Sequence, residues 1–291
     1  MLRGLYTAAA GMMTQQRMHD TVTQNIANIN TPGYKSVNEA ARSFPEVLIS
    51  LVGGNGPGTT QIGKLNTGVF AEETQPTYTQ GDLRETGKSS DFGLESSLEL
   101  VDPATGQPYA FDQSGKFVKA DGSVVYRPQA FFTVQDNNGN IRYTRDGSFH
   151  VNGAGELLSS TGSKVLGSNG QPLVLNRPIN DLQTDSKGNF LYNGTPTNQQ
   201  LQITVATSPY ELVRNGNGVY EAADPQKAGL RNLAATDAVT VRQGSLEGSN
   251  VNTAQSMVDL MTAQRAYEAN QKVIQFYDKS MDKAVNDVGR V

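Results

Sequence analysis

The strongest hydrophobic pattern in the chain lies near its C-terminal end, where residues 251–288 contain neither Pro nor Gly. One apolar position in this stretch recurs every seven residues without a break. Its members are Leu260, Tyr267, Ile274, Met281 and Val288. Five heptads of this regularity predict a long helix that packs against other helices as in a coiled coil. Residues 248–250 ahead of it supply a predicted N-cap.

Polar residues interrupt the second position of the same heptads. The members of this position are Met257, Gln264, Gln271, Asp278 and Val285. Polar side chains weaken a simple two-helix seam, so the pattern favours register control or a bundle of several helices. Arg265 lies on the flank with Asp259 and Glu268. A solvated face and an ion pair between subunits are equally consistent with these charges.

A weaker apolar stripe, with steps of three and four residues, marks the N-terminal end. Its members are Leu2, Leu5, Ala9, Met12 and Ile26. This spacing predicts an amphipathic helix, which Pro32 brings to an end. Asn25 and Asn28 lie three residues apart on one face, where their amides could bond a neighbouring helix or cap the turn before Pro32. We expect them to serve assembly, with plain helix termination as the alternative.

Between the two helical patterns the chain has the character of strands and turns. Short β-branched and aromatic runs alternate with Asn-Gly and Asp-Gly pairs, a pattern typical of antiparallel hairpins. The predicted strands are residues 98–101, 131–134, 141–144, 165–166, 173–175 and 201–206. The predicted turns are Asp121-Gly122, Asn138-Gly139, Asp146-Gly147, Asn152-Gly153, Asn169-Gly170 and Asn193-Gly194.

The sequence therefore predicts an α+β fold in which N- and C-terminal coiled-coil-forming helices flank a long antiparallel β-rich insert. The predicted divisions are 1–34 for the N-terminal helix, 35–88 for an extended linker, 89–230 for the β domain, 231–248 for a return segment and 249–291 for the C-terminal helix. The two helices form one core assembly domain. Their apolar stripes are too sparse to order both ends alone, so we expect these ends to become ordered when copies pack together.

Charge and composition narrow the function further. Lys and Arg total 24 against 28 Asp and Glu, with no basic block, so we expect no nucleic-acid partner. The absence of Cys excludes disulfides and thiolate chemistry. No apolar run approaches the roughly 20 residues of a membrane span, and the first residues lack the apolar core of a cleaved signal peptide. We therefore expect no membrane insertion and, if the protein is exported, no cleaved signal peptide.

Residues suited to catalysis are sparse. The two histidines, His19 and His150, fall in different segments and suit neither a metal site nor a catalytic triad. Glu95, Glu99 and Asp102 are the candidate carboxylates for a glycosidase, which needs two across a cleft. A strand surface followed by a turn is the simpler interpretation. We expect no enzyme activity, no catalytic residue, no metal and no cofactor.

Four segments carry a resemblance to a known family. They are residues 25–35 (NIANINTPGYK), 143–149 (YTRDGSF), 244–252 (GSLEGSNVN) and 262–270 (TAQRAYEAN). In order and spacing they resemble the axial proteins of the bacterial flagellar rod and hook, specifically the distal-rod-like hook–basal body proteins. Within the second segment, Arg145-Asp146 is predicted to be a hairpin turn rather than a binding site. Residues 95–128 look like an insertion relative to compact members of that family.

The resemblance implies a structural subunit that self-assembles helically and transmits torque. Its implied partners are copies of itself as a helical homopolymer, other rod and hook proteins and the flagellar export apparatus of the type III kind. Its implied location is the flagellar basal body outside the cytoplasmic membrane. A non-flagellar surface fibre and a flagellum-associated wall hydrolase remain the alternatives. The predicted assembly interface comprises Leu2, Leu5, Ala9, Met12, Asn25, Ile26, Asn28, Met257, Leu260, Gln264, Arg265, Tyr267, Ile274, Met281, Val285 and Val288.

Overall fold

Two units make up the chain. The computed structural model describes residues 2–51, 60–72, 74–102, 105–112 and 115–288. The first unit, called the helical unit, comprises Met1–Ala27, Val37–Gln75 and Asn252–Val291. The second, called the β unit, comprises Asn28–Ser36 and Pro76–Val251. Each unit is therefore assembled from segments that are far apart in the sequence.

A helix stands at each end of the chain, as predicted. The N-terminal helix α1 spans Leu2–Ala27 and ends ahead of Pro32, which cannot continue a helical hydrogen-bond ladder. The C-terminal helix α2 spans Thr253–Lys283 and continues into a π-helical turn at Ala284–Val288. Over the described residues, neither helix offers a stretch that is apolar enough for a bilayer crossing.

The N-cap predicted at residues 248–250 is wrong. Asn252 caps α2, because its side chain accepts a hydrogen bond from the backbone N–H of Gln255 at 3.1 Å. Asn250 carries the same side chain but uses it within the β unit, where it donates to the carbonyl of Thr77 at 2.7 Å. The pattern of cap residues predicted the start of α2 to within a few residues. Asn250 bonds Thr77 instead of capping the helix, and the cap lies two residues later, at Asn252.

Five short strands of the helical unit follow α1. They are β1 (Val37–Asn38), β2 (Ala41–Ser43), β3 (Val47–Leu51), β4 (Thr60–Leu65) and β5 (Val69–Ala71). Strand β2 pairs with β5 and β3 with β4, both antiparallel. These four strands form two separate two-stranded sheets, together called the β ribbon. A further strand, β6 (Gln75–Pro76), lies where the chain passes between the units.

The β unit contains the remaining strands. They are β7 (Leu83–Glu85), β8 (Phe92–Ser96), β9 (Lys116–Val118), β10 (Val124–Tyr126), β11 (Gln129–Gln135), β12 (Ile141–Thr144), β13 (Phe149–Val151), β14 (Leu157–Ser159), β15 (Lys164–Val165), β16 (Leu182–Thr184), β17 (Asn189–Tyr192), β18 (Thr195–Gln200), β19 (Ile203–Ala206), β20 (Leu212–Arg214), β21 (Val219–Ala222), β22 (Leu230–Asn232), β23 (Val239–Gln243) and β24 (Ser245–Glu247). The stretch 35–88, predicted as an extended linker, thus holds β1–β7.

Strand β11 is the centre of the main sheet. It pairs antiparallel with β12, β15 and β19, and Phe132 lies opposite Thr144 on one side and Ile203 on the other. The run Gln129–Val134 is buried throughout, as a continuous apolar run indicates for a strand covered on both faces. The α+β class, with a helix on either side of an antiparallel β-rich region, is confirmed.

Neighbouring residues of β11 anchor two separate hydrophobic clusters, because successive side chains of a strand point to opposite faces. Phe132 packs edge-to-face on Phe149, with ring centroids 5.2 Å apart, in the larger cluster. Phe131 lies in the smaller cluster, where its ring centroid is 5.5 Å from that of Tyr220. The Phe-Phe pair therefore joins both cores.

Two of the six predicted strands are wrong. Residues 98–101 and 173–175 lie outside the strands and contribute only isolated bridges, Val101 to Pro108 and Glu156 to Val174. Leu98 and Leu173 are nonetheless buried in the larger cluster. An apolar run indicates burial, and irregular backbone can bury a side chain without a ladder of hydrogen bonds.

The turns follow two geometries. Asn193 and Gly194, with φ of 51° and 78°, form a two-residue connection between β17 and β18. In the turn at Asn138-Gly139 only Gly139 has a positive φ, 87°. There the carboxylate of Asp136 accepts hydrogen bonds from the backbone N–H groups of Asn138 and Asn140, each at 2.9 Å. An aspartate that begins the turn therefore adds to the Gly signal.

Candidate functional site

The helical unit brings both ends of the chain together as an antiparallel helix pair. A Cβ placed on Gly4 would overlap the phenol ring of Tyr277, and a Cβ on Gly11 would lie 3.0 Å from the side-chain Nδ2 of Asn270. Seven residues along α1 correspond to seven along α2, so one seam joins helices that run in opposite directions. Glycine at both positions lets the helix axes approach closely.

The first predicted heptad position of α2 lies beside this seam. Leu260, Ile274 and Met281 are half-buried, and Tyr267 is 37% exposed. The side chain of Val288 lies outside the described residues. The position therefore contributes to packing within the unit while keeping part of each side chain accessible.

The second position of the seam is one residue earlier than the heptad pattern predicted. Its members are Ser256, Ala263, Asn270 and Tyr277, of which the first two are buried. The residues predicted for that position and its flank are exposed, and they are Met257, Gln264, Arg265 and Val285. A search for large apolar side chains missed the seam, because close helix approach selects small residues.

The predicted stripe of α1 is likewise next to the most buried face. Leu5, Ala9, Met12 and Ile26 are half-buried. The buried residues of this helix are Ala8, Gly11, Thr14, Val22 and Asn25. The side chain of Leu2 lies outside the described residues. Ala8 and Gly11 at the seam are small, so the stripe predicted from larger apolar residues lies one position later, at Ala9 and Met12.

Asn25 fixes the backbone that follows α1 in the helical unit. Its side-chain Nδ2 donates to the carbonyl of Val37 at 2.8 Å, and its Oδ1 accepts from the backbone N–H of Val37 at 2.9 Å. Both residues are buried. The amide thus holds strand β1 as a β partner would, which is neither of the two bonds considered from the sequence.

Asn28 belongs to the β unit and stabilises the turn after α1. Its side-chain Oδ1 accepts a hydrogen bond from the hydroxyl of Thr31 at 3.1 Å. This is the cap of the turn before Pro32 that was considered from the sequence. The two asparagines are therefore three residues apart in the chain and serve different units.

Large apolar side chains remain exposed on both helices. We call this set the outer helix face, and it comprises Tyr6, Met13, Met257, Val258, Met261, Val273, Phe276 and Val285. Phe276 is 71% exposed and Tyr6 is 68% exposed. The β ribbon adds the exposed residues Val47 and Leu48. Exposed apolar patches of this kind mark interaction surfaces.

A buried cluster of charges lies within the β unit. Lys35, Arg145 and Glu247, called the ionic centre, have side chains that are at most 1% exposed. The Lys35 Nζ donates to Oε1 of Glu247 at 2.6 Å, and the Nε and Nη2 of Arg145 each lie 2.7 Å from Oε2. Each carboxylate oxygen therefore has its own cation.

Backbone groups supply further hydrogen bonds to the three side chains of the ionic centre. The Lys35 Nζ donates to the carbonyl of Thr79 at 2.8 Å, and the Nη1 of Arg145 donates to that of Ala130 at 2.7 Å. The backbone N–H of Gly81 donates to Oε1 of Glu247 at 3.0 Å. Buried ions are stable only when hydrogen bonds replace their lost hydration.

The pKa values of the ionic centre follow from burial and from an unequal count of charges. Burial lowers the pKa of Lys35 to about 8, with Glu247 opposing this shift and Arg145 adding to it. Burial alone would raise the pKa of Glu247, but Arg145 and Lys35 together hold it below its usual value. The pKa of Lys35 falls chiefly because its ammonium is buried, whereas that of Glu247 falls because two cations face its one carboxylate.

The interpretation of Arg145-Asp146 as a hairpin turn is wrong. Strand β12 before it pairs with β11 and β21, and β13 after it pairs with β14, so the residues join strands that are not partners. The Asp-Gly pair was a misleading signal, because Gly147 does not adopt the positive φ that such a turn uses and the side chain of Arg145 is buried. Three of the resemblance segments each carry one of these charges, but no sequence pattern indicates that the charges meet.

The residues weighed for catalysis do not converge. Glu95 pairs with Arg242 at 2.8 Å on a surface where both side chains are about half-exposed. His150 lies in β13 opposite Leu158, and His19 lies on α1. Across the described ranges, groups of three His, Asp or Glu side chains suited to a metal are absent.

A helix pair built from both chain ends, an exposed apolar face upon it and a separate antiparallel β unit define a structural protein of the axial type. Three family models match the chain: "Flagella basal body rod protein" at residues 5–35, "Flagellar hook protein FlgE/F/G D1 domain" at 127–208 and "Flagellar basal body rod FlgEFG protein C-terminal" at 242–287.

Full-length relatives agree with these matches. The chain is 35% identical over 294 residues to the flagellar hook–basal body complex protein FlhO of Bacillus subtilis, which covers 100% of both chains. It is 27% identical to the flagellar basal-body rod protein FlgG of Borreliella burgdorferi, over 98% of both. It is 29% identical to the rod protein FlgF of Rhizobium meliloti, over 99% of both. The chain belongs to the family of flagellar basal-body rod and hook proteins, which are structural.

Proposed function

We propose that this chain is a subunit of the flagellar rod or rod–hook axis that self-assembles helically through its helix pair, transmits torque and catalyses nothing. Its partners would be copies of itself, other rod and hook proteins and the flagellar export apparatus. Its location would be the basal body outside the cytoplasmic membrane. The observation that carries the proposal is the outer helix face, which leaves Phe276 and Tyr6 more than two-thirds exposed.

The arrangement of α2 supports contacts with more than one helix. One side of α2 meets α1 through Ala263 and its seven-residue neighbours, while Met257 and Val285 of the predicted seam stay exposed. A helix with two apolar sides is suited to a bundle, where each side has a different partner. Copies arranged in a helical array would supply the second partner as a heterologous contact. Coiled-coil packing between copies would use this second side.

The β ribbon supports a second contact between copies. An isolated two-stranded ribbon is marginal in water, and Val47 and Leu48 are both more than half-exposed. Burial of such a side chain stabilises a contact by about 1.5–3 kcal/mol. The flagellar relatives named above favour this axial role over a surface fibre or a wall hydrolase.

A double substitution on the outer helix face tests the proposal. Met261→Lys with Phe276→Lys would bury two charges in the contact between copies, where each costs several kcal/mol. We expect the concentration needed for polymers to rise at least ~100-fold, since about 1.4 kcal/mol corresponds to a factor of ten. Sedimentation and electron microscopy over a concentration series would measure it.

The matched control places the same charges on the β unit. Val118→Lys with Val213→Lys changes two exposed valines of that unit, and we expect polymers at close to the wild-type concentration. Helix content by circular dichroism should be unchanged in both variants. Equal polymerisation of the two variants would contradict assembly through the helices.

A further inference from the structure

The ionic centre carries more positive than negative charge. Lys35 and Arg145 are both buried against the single carboxylate of Glu247. Arg214 stands nearby, with its guanidinium 4.6 Å from the ring centroid of Tyr34 and its Nη1 3.4 Å from the carbonyl oxygen of Lys35. Loss of one partner from a buried ion pair is strongly destabilising, because the other charge stays uncompensated. Without Glu247 this site would hold two uncompensated cations.

The backbone next to Glu247 holds the same segment that carries Lys35. The N–H of Gly33 donates to the carbonyl of Glu247 at 2.8 Å, and the N–H of Ser36 donates to Oδ1 of Asn250 at 2.6 Å. Gly33 has a φ of 67°, and a Cβ there would lie 2.5 Å from the carbonyl carbon of Arg145. Residues 28–36 therefore reach the β unit by close backbone contact as well as by charge.

The two ion pairs of Glu247 join residues that are far apart in the sequence. Lys35 and Glu247 are 212 residues apart in the chain, and Arg145 and Glu247 are 102 apart. The central hydroxyl pair of Thr133 and Thr204 spans only 71 residues. Because loop closure costs more entropy for longer loops, and non-local contacts form slowly, the sheet can form before the segment around Glu247 arrives.

We propose that Glu247 is a charge lock that fastens residues 28–36 onto the β unit, and that this lock closes last during folding. Residues 28–36 follow α1 directly, and residues 244–251 precede α2 directly, so the lock joins the two chain segments that lead to the helices. The strands of the central sheet pair with one another without Glu247, so we expect this sheet to persist when the lock opens. The lock is a property of the single chain and does not require assembly.

Hydrogen exchange on the full chain tests the local nature of the lock. In Glu247→Gln the shape is kept but both cations lose their counter-ion. We expect the amides of Gly33, Ser36 and Gly81 to exchange about 100-fold faster or more. The amides of Thr133 and Leu166, which bond within the central sheet, should keep their wild-type rates.

Glu156→Gln is the matched control. It removes the 2.6 Å ion pair with Lys164 in the same unit, where both side chains are partly exposed. We expect it to leave the amides of Gly33, Ser36 and Gly81 unchanged. Wild-type rates for these amides in Glu247→Gln would overturn the lock, as would an equal acceleration of Thr133 and Leu166.

A second variant separates charge from shape and covers failure of Glu247→Gln to fold. Lys35→Met combined with Glu247→Gln removes one of the two uncompensated cations. We expect the double variant to recover folding and at least about ten-fold of the lost protection at Ser36 relative to Glu247→Gln alone. No recovery, or effects that simply multiply, would overturn an electrostatic lock.

The order of closure has its own readout. During refolding of the wild-type chain, pulses of hydrogen exchange report when each amide becomes protected. We expect Thr133 and Leu166 to gain protection before Gly33 and Ser36. Simultaneous protection of the four amides would overturn the proposal that the lock closes last.

Discussion

The two units of this protein differ in how far they bury their large apolar side chains. In the β unit the rings of Phe131, Phe132 and Phe190 are fully buried. In the helical unit most buried residues are small or polar, such as Ala263 and Thr14, and the large apolar side chains are half-buried or exposed. The β unit therefore contains its own hydrophobic core, whereas the helical unit leaves apolar surface exposed. We propose that this exposed surface serves association between copies.

The largest effect should come from charges placed beside the seam of the helix pair. Leu260→Asp with Ile274→Asp puts a carboxylate at two half-buried positions of α2, each at a cost of several kcal/mol. We expect the helix pair to separate and assembly and motility to be lost. Circular dichroism should show lost helix, while calorimetry should show an unchanged transition of the β unit.

The control for this variant uses exposed positions on the same helix. Thr262→Asp with Gln275→Asp adds the same charges where both side chains face solvent, and helix content should be retained. If Leu260→Asp with Ile274→Asp also lowers the melting temperature of the β unit, the stability of that unit depends on the helices, contrary to our expectation.

The buried Lys35 of the β unit should make stability depend on pH above about 8. The pKa of Lys35 is about 8 in the folded chain against 10.5 as its ordinary value, chiefly because the ammonium is buried. Between these values the unfolded chain binds more protons, so stability rises with pH, by at most about 1.4 kcal/mol per pH unit. The charged groups that act on this ammonium are Glu247 and Arg145.

Tyrosines limit this rise at high pH. Burial raises the pKa of Tyr210 and Tyr220 to about 12, so above pH 10 the folded chain holds more protons and stability falls. The tyrosines contribute equally to the wild type and to Lys35→Met, so the difference in stability between the two proteins reports Lys35 alone. Urea unfolding should show the wild type gaining on this variant from pH 8 to pH 10. A constant difference would contradict the lowered pKa of Lys35.

The acid side of the same centre has the same sign, because stability again rises with pH, here at acidic pH. The pKa of Glu247 lies below its ordinary value of 4.5, so its contribution is complete above pH 4.5 and is lost as the pH falls through the folded value. Glu247→Gln should flatten this part of the curve. In the described part of the helix seam, Ser256, Ala263 and Asn270 are neutral and add no such pH dependence.

A smaller effect should follow removal of the Asn25 amide. Asn25→Ala leaves the buried N–H and carbonyl of Val37 without their partner, at a cost of about 2 kcal/mol. We expect the Val37 amide to exchange faster while the β unit is unaffected. Thr23→Ala on the same helix removes an exposed hydroxyl that bonds the carbonyl of His19, and it should be nearly neutral.

Periodicity predicted the elements whose pattern is made by large apolar residues. The repeat from Leu260 to Met281 identified α2, where these side chains are only partly buried, and the run around Phe131 identified β11, where the side chains are fully buried. The seam between the helices escaped because Gly4, Gly11 and Ala263 contribute by lacking bulk. Absence of a side chain leaves no hydrophobic signal.

The ionic centre could not be found from local patterns at all. Lys35, Arg145 and Glu247 each occur in a segment with a plausible local interpretation, and more than a hundred residues separate Arg145 from each of the other two. Only the three-dimensional fold shows that the charges meet. Asn25 is intermediate, because the sequence indicates its place near the end of α1 but not its partner, Val37.

The smallest effect should come from a single hydroxyl in the second cluster of the β unit. Tyr220 is fully buried, and among the described residues its hydroxyl has no hydrogen-bond partner. A buried polar group without a partner is destabilising, so Tyr220→Phe should be neutral or raise stability by up to about 1 kcal/mol. Tyr78 in the same cluster is the control, because its hydroxyl donates to the carbonyl of Pro209 at 2.8 Å. Tyr78→Phe should lower stability by about 1 kcal/mol, as measured by thermal unfolding at pH 7. If both variants lose the same amount, the hydroxyl of Tyr220 is satisfied by a buried water, and the core of the β unit is wetter than its packing indicates.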